Sequence, residues 1–166
     1  MKRTLVLAFG LFLVAGCATR AVQTSAVAAV APQLSVERFL QAVNARDYAG
    51  MARIFGTTDG PMGDTGSSFG CFWKKIGAAF GGSSCRDWRD VELQMDALAL
   101  ILQHVDYQIV SEGGVAGRRQ SVTRIGVDLT LPQNRVARDV TFVVVMSEGR
   151  WMVEMIDLEK VTSATD

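Results

Sequence analysis

The chain has 166 residues, 49% of them hydrophobic and 20% charged. That length holds one domain with room for a tail, and the composition excludes wholesale disorder. Lys and Arg together number 17, as do Asp and Glu, so no basic field exists to draw nucleic acid.

The first residues read as an address rather than as structure. Lys2 and Arg3 precede an apolar run of 11 residues, Leu5 to Ala15. A bilayer span needs about 20 such residues, so this run is too short to cross. It ends in Val14-Ala15-Gly16-Cys17. That tetrapeptide resembles the lipobox of bacterial lipoproteins: a branched apolar residue and two small ones before a Cys. The resemblance implies a signal peptide over 1–16, cut before Cys17. It also implies a diacylglyceryl thioether on the Cys17 sulfur and acylation of the new amine. Each buried methylene would contribute ~0.8 kcal/mol, so such anchoring is stable. Residue 18 is Ala, not Asp. An Asp there resembles an inner-membrane retention signal, so the resemblance points to the outer membrane, facing the periplasm. The alternative is a plain secretory signal cut elsewhere, with Cys17 incidental.

Residues 17–34 then read as a lipidated tether rich in Ala, Val, Thr and Ser and interrupted by Pro32. Fully extended, it reaches roughly 55–60 Å. The alternative is a short helix within it, Ala26 to Ala31.

The domain is expected over 35–162. Ser35 is a suitable N-cap, and Val36, Phe39, Leu40 and Val43 repeat at helical spacing. The helix should stop near Asn44-Ala45-Arg46. Asp47 can cap a second helix, Tyr48 to Phe55, with Met51, Ile54 and Phe55 buried and Gly56 as its stop. A Gly-rich insert follows over 56–87, with Thr57 to Gly70 reading as loop. Inside the insert Phe72, Trp73, Ile76 and Phe80 share a helical face, with Lys74 and Lys75 opposite. That short helix reads as a lid on the core; dipping into a membrane surface is the alternative.

Asp87 or Asp90 can cap the next helix, whose apolar stripe is Val91, Met95, Leu98, Ile101, Leu102 and Val105. The period then changes from 3.6 to 2. Tyr107 and Ile109 open a strand, and Glu112-Gly113-Gly114 reads as its turn. Ile125, Val127, Leu129 and Leu131 alternate with polar or small residues, a half-buried strand. Pro132-Gln133-Asn134 is a turn. Val140 to Met146 is apolar on both faces, the mark of a central strand. Glu148-Gly149 is a hairpin turn, and Arg150 to Leu158 is the last strand. Trp151, Val153 and Met155 should share one face of it, Met152, Ile156 and Leu158 the other. Helices followed by strands joined through turns make an α+β domain: N-terminal helices packed on a curved antiparallel sheet of four or more strands.

The stretch Phe39 to Phe55, with its Asn44-Ala45-Arg46-Asp47-Tyr48 corner, resembles the first two helices of nuclear transport factor 2-like domains. Gly149-Arg150-Trp151-Met152-Val153 is similar to that family's last strand. The resemblance covers roughly 35–55 and 91–160 and implies a curved sheet wrapped around helices, a cone with a cavity at its mouth. Members range from isomerases and dehydratases to non-enzymatic binding modules, and they often dimerise through the open sheet face. An early pair of strands is common in the family, and here the Gly-rich insert stands in its place.

Cys71 and Cys85 form an even pair once Cys17 is lipidated, and export permits a disulfide between them. The closed loop of 15 residues would contribute ~3 kcal/mol. Two buried thiols are the alternative. One His and no Cys-x-x-Cys leave a metal site unsupported, and no cofactor is implied. His104, next but one to Asp106, is a candidate general base; a helix-end His held by the dipole or by backbone is the plainer reading. Asp157 is a candidate cavity carboxylate if it shares the face of Trp151 and Val153, whereas Asp128 should face away from the apolar side. Arg118, Arg119 and Arg124 read as a solvated hairpin tip rather than an anion site.

The expected function is therefore a membrane-anchored envelope lipoprotein. Its domain would bind a protein or an apolar small molecule without catalysis, with a homodimer in keeping with the family. The alternative is a small cavity enzyme of the isomerase or dehydratase type using Asp157 or His104.

Overall fold

The structure is a computed structural model that describes residues 31–64, 87–118 and 121–164. Cys17, Cys71, Cys85 and the Phe72 to Phe80 stretch lie outside the described residues.

Helix α1, Pro32–Ala45, starts three residues before the expected Ser35 cap. Proline suits the first turn, where its missing N–H is not needed. Ser35 is instead inside the helix and fully buried, its hydroxyl donating to the Pro32 carbonyl at 2.8 Å. Val36, Phe39, Leu40 and Val43 face the core as expected. The helix ends at Arg46, which takes the left-handed conformation (φ 51°) and lets the Asp47 N–H reach the Ala42 carbonyl at 2.9 Å. Asp47 then caps α2, Tyr48–Ile54, its carboxylate accepting from the Gly50 N–H at 2.8 Å.

After α2 the chain goes extended at Phe55, which bridges Val153 in parallel. Two short strands follow, β1 (Gly56–Thr57) and β2 (Gly60–Pro61), paired antiparallel. The expected helix stop at Gly56 and the loop from Thr57 are corrected here. The first residues of the expected irregular insert are thus a strand pair. Pairing is possible because Thr58 and Asp59 turn and Gly60 supplies a positive φ of 126°.

Helix α3, Trp88–Leu102, is capped by Asp87. Val91, Met95, Ala99 and Leu102 are its buried face. Ile101 and Val105, expected in that stripe, point outward: Ile101 lies about 100° around the helix from Leu102, and Val105 follows the helix end.

Four antiparallel strands follow: β3 (Asp106–Gly114), β4 (Val122–Thr130), β5 (Val136–Ser147) and β6 (Arg150–Ile156). They lie in the order β3-β4-β5-β6, so β5 is interior, as its two-faced apolarity implied. Glu112-Gly113-Gly114 is not a turn. It stays in β3, with Gly113 opposite Arg124 and Gly114 opposite Thr123. Glycine is tolerated on this edge strand because the ladder needs only its backbone. The last strand is shorter than expected: β6 ends at Ile156, and Leu158–Thr162 form a fourth helix, α4, that buries Val161.

Each ladder carries an irregularity. β3 has an extra residue at Val110, β5 has Arg138 and Asp139 opposite the single Asp128, and β6 has an extra residue at Glu154. Bulges in neighbouring ladders bend and twist the strands that carry them. The β6 bulge also shifts the alternation by one. Ile156 comes opposite Phe142 on the core side, while Met155 is 57% exposed and not on the face of Trp151 and Val153.

Among the described residues the four helices pack on one face of the sheet. The core joins Phe39, Leu40, Met51, Met95 and Leu102 to Ile125, Val127, Leu129, Phe142 and Val144. On the other face Val122, Val143 and Val145 form a smaller buried cluster with Val115 packed on it.

Candidate functional site

The chain's single His sits where α1 and α3 end side by side. His104 is 6% exposed. Its Nδ1 lies 2.9 Å from the Leu102 carbonyl, which can only accept, so Nδ1 carries the proton. Nε2 is then an acceptor, and Asn44 Nδ2 donates to it at 3.2 Å. The orientation of the Asn44 amide follows from its other end, where Oδ1 accepts from the His104 backbone N–H at 3.3 Å. Tyr107 closes the site edge-on, with ring centroids 5.7 Å apart.

The pairing of His104 with Asp106 does not form. Asp106 turns to its neighbour, accepting from the Tyr107 N–H at 2.9 Å. With both ring nitrogens engaged by Leu102 and Asn44, the imidazole has no lone pair aimed at a substrate. This is the backbone-bonded boundary residue weighed in the sequence, with Asn44 as a partner 60 positions away that sequence reasoning missed. The signal was the Asn-x-x-Asp corner, where only Asp47 was given a role.

Asp157 does not continue the Trp151–Val153 alternation. The Glu154 bulge changes the phase, and Asp157 leaves the strand with its N–H donating to the Thr141 carbonyl at 2.9 Å. It is half-buried at the start of α4 and makes no side-chain cap bond. The structure therefore does not bring His104 and Asp157 into one constellation through any hydrogen bond or ion pair described for them. Among the described residues no three His, Cys, Asp or Glu side chains group as metal ligands.

Two polar arrangements outside the main core are structural. Asp128 accepts from the Asp139 N–H at 2.7 Å, and Lys160 donates to the Asp139 carbonyl at 2.6 Å. Together they hold Asp139 at its positive φ of 47°. A Cβ on Gly126 would collide with the Asp139 carboxylate and the Ser111 hydroxyl. A larger residue there would have to displace the Asp139 and Ser111 side chains.

Arg118, at the β3–β4 tip, reaches Glu154 on β6 with both terminal guanidinium nitrogens, Nη2 at 3.1 Å. The strand order makes this pair span β4 and β5, over the Val122, Val143 and Val145 cluster. Its guanidinium is therefore committed to a carboxylate rather than free for an anion. At the helices, the Tyr48 hydroxyl donates to Asp96 at 2.6 Å, tying α2 to α3. That bond first, and desolvation second, push the phenol above its usual value of 10.0.

Compared with protein-family models, curated proteins and solved structures, the chain has no match.

Proposed function

We propose that the protein is a lipid-anchored module of the bacterial envelope whose domain binds a protein or an apolar small molecule without catalysing a reaction. The Val14-Ala15-Gly16-Cys17 tetrapeptide after its apolar run carries the anchoring half of this reading. Cys17 is the lipidated residue, and the outer membrane facing the periplasm is the site of residence. Cys71 and Cys85 are joined in the insert.

His104 supports binding over catalysis. The residue type best suited to proton transfer near neutral pH is here spent on joining two helix ends. The element order supports a nuclear transport factor 2-like cone. Two helices, a short strand pair, a third helix and four antiparallel strands follow one another, and Phe55 lies alongside β6.

Membrane fractionation and intact-mass measurement test the anchor. Wild-type protein should sediment with membranes and carry acyl mass on Cys17, and Cys17→Ala should leave the membrane fraction unacylated. An unmodified Cys17 in mature wild-type protein would sink the proposal. For the domain, His104→Gln and Asp157→Asn should each complement a deletion strain at normal abundance. Loss of complementation without loss of protein would favour a cavity enzyme.

A further inference from the structure

The β3–β4 tip does not stand clear of the sheet. Val122, Val143 and Val145 lie on the face opposite the helices, yet they are only 7%, 6% and 0% exposed. Val115, the first residue after β3, packs on these three valines, and its N–H donates to the Val122 carbonyl at 3.4 Å. Three residues further on, Arg118 takes the Glu154 carboxylate with both terminal nitrogens of its guanidinium. Neighbouring strands are about 4.8 Å apart, so from β4 this contact crosses roughly 10 Å of sheet to reach β6. The tip therefore leans over the valines.

The Arg118–Glu154 contact is a fastening rather than an ordinary surface ion pair. It is bidentate, the geometry that gives an Arg–carboxylate contact direction as well as strength. Its two members are unequally placed, the Glu154 side chain 17% exposed and that of Arg118 41%. Glu154 is the extra residue of the β6 bulge and has no residue opposite it on β5. The carboxylate thus belongs to the sheet and the guanidinium to the loop. Among the described residues no other side-chain hydrogen bond ties 115–118 to the rest of the chain.

The root of the loop is free to turn. Gly113 and Gly114 close β3, and a Cβ on either would meet nothing within 4 Å. Gly117, beside Arg118, has a φ of 82°, in the left-handed region that glycine enters at no steric cost. Between Gly113 and Gly117 only Val115 and Ala116 carry side chains. A stretch held by one valine and one ion pair opens at far lower cost than the four-stranded sheet beneath it.

We propose that residues 115–118 form a strap, hinged at Gly113-Gly114 and latched by Arg118 on Glu154, and that release of the latch uncovers the patch of Val122, Val143 and Val145 while the sheet stays folded. The covered and uncovered states differ by one ion pair and the seat of Val115. The device is local to one face of the sheet. It depends neither on lipidation of Cys17 nor on the pairing of Cys71 with Cys85.

The test uses the full chain and two readouts. Trypsin needs a free arginine side chain, so its site at Arg118 is closed while the latch holds. Glu154→Gln keeps that site and removes the ionic partner. Limited digestion read by mass spectrometry should show cleavage after Arg118 about tenfold faster than in wild type, the scale of a lost hydrogen bond to a charged group. Glu148→Gln, which removes the same charge beside Arg150 at the β5–β6 turn, should leave that rate unchanged. Carbene footprinting should show labelling of Val143 and Val145 rising severalfold in Glu154→Gln, measured against Leu93, which is exposed on α3 in either state. Far-ultraviolet circular dichroism should stay the same. Cleavage at the wild-type rate would overturn the proposal, because the ion pair would not be what holds the loop. Faster cleavage with Val143 and Val145 still unlabelled would overturn it too, because the loop would not be what covers them. If Glu154→Gln lowers stability, Arg118→Gln, changed on the loop and not on the sheet, decides by footprinting alone: labelling equal to wild type refutes the strap.

Discussion

Asn44 holds His104 at two points, its amide oxygen on the backbone N–H and its amide nitrogen on the imidazole. The contact joins the end of α1 to the end of α3 and brings Asn44 and Asp47 into one working corner. Asp47 caps the next helix while Asn44 fixes the one after it.

Asn44 is exposed, so its loss opens the His104 backbone N–H and imidazole to water rather than orphaning them. Asn44→Ala should therefore cost about 0.5–1.5 kcal/mol, the net worth of an ordinary hydrogen bond. Urea unfolding followed by circular dichroism reads it. A midpoint equal to wild type would mean the pair contributes nothing net.

Gly126 lies against the Asp139 bulge, where a Cβ would push the Asp139 carboxylate and the Ser111 hydroxyl out of place. Gly126→Ala should destabilise by about 1–3 kcal/mol, the range for overpacking. Gly113→Ala, where a Cβ meets nothing within 4 Å, should change stability far less. Thermal melts of the two variants side by side make the comparison, and equal losses would contradict it.

Tyr48 has its phenol pushed up by Asp96. A raised folded value means that the interaction stabilises fully below the unfolded value near 10 and is lost as pH rises through the folded one. Phenolate absorbance in a Tyr107→Phe background isolates Tyr48. Asp96→Ala should move that titration to lower pH; an unmoved curve would deny the coupling.

The proposed Cys71–Cys85 pairing should appear as one cross-linked peptide when the protein is digested without reduction. Two alkylatable thiols in the native protein would refute it.

Element identity was legible where a period ran long. Val36 to Val43, Val91 to Met95 and Ile125 to Leu129 read correctly because one face of each is buried throughout. Boundaries failed where backbone chemistry overrode composition. Pro32, which composition marks as a break, opens a helix, and Gly113-Gly114, which composition marks as a turn, stays paired. The site failed for a different reason. The phase of β6 depends on a bulge at Glu154 that no local pattern announces, so Met155, Ile156 and Asp157 were assigned by unbroken alternation. Asn44–His104 and Arg118–Glu154 join residues 60 and 36 positions apart. A single sequence holds no trace of such pairing until the fold is known.

The parallel bridge from Phe55 to Val153 has a consequence for how copies of this chain can meet. A meander has two rims, each a row of backbone groups that another chain's strand can extend. At β6 that rim is met by the chain's own segment at Phe55. At β3 the row is broken by the extra residue at Val110. Among the described residues each rim is thus interrupted at one point, which shortens the flat backbone row that an added strand could follow.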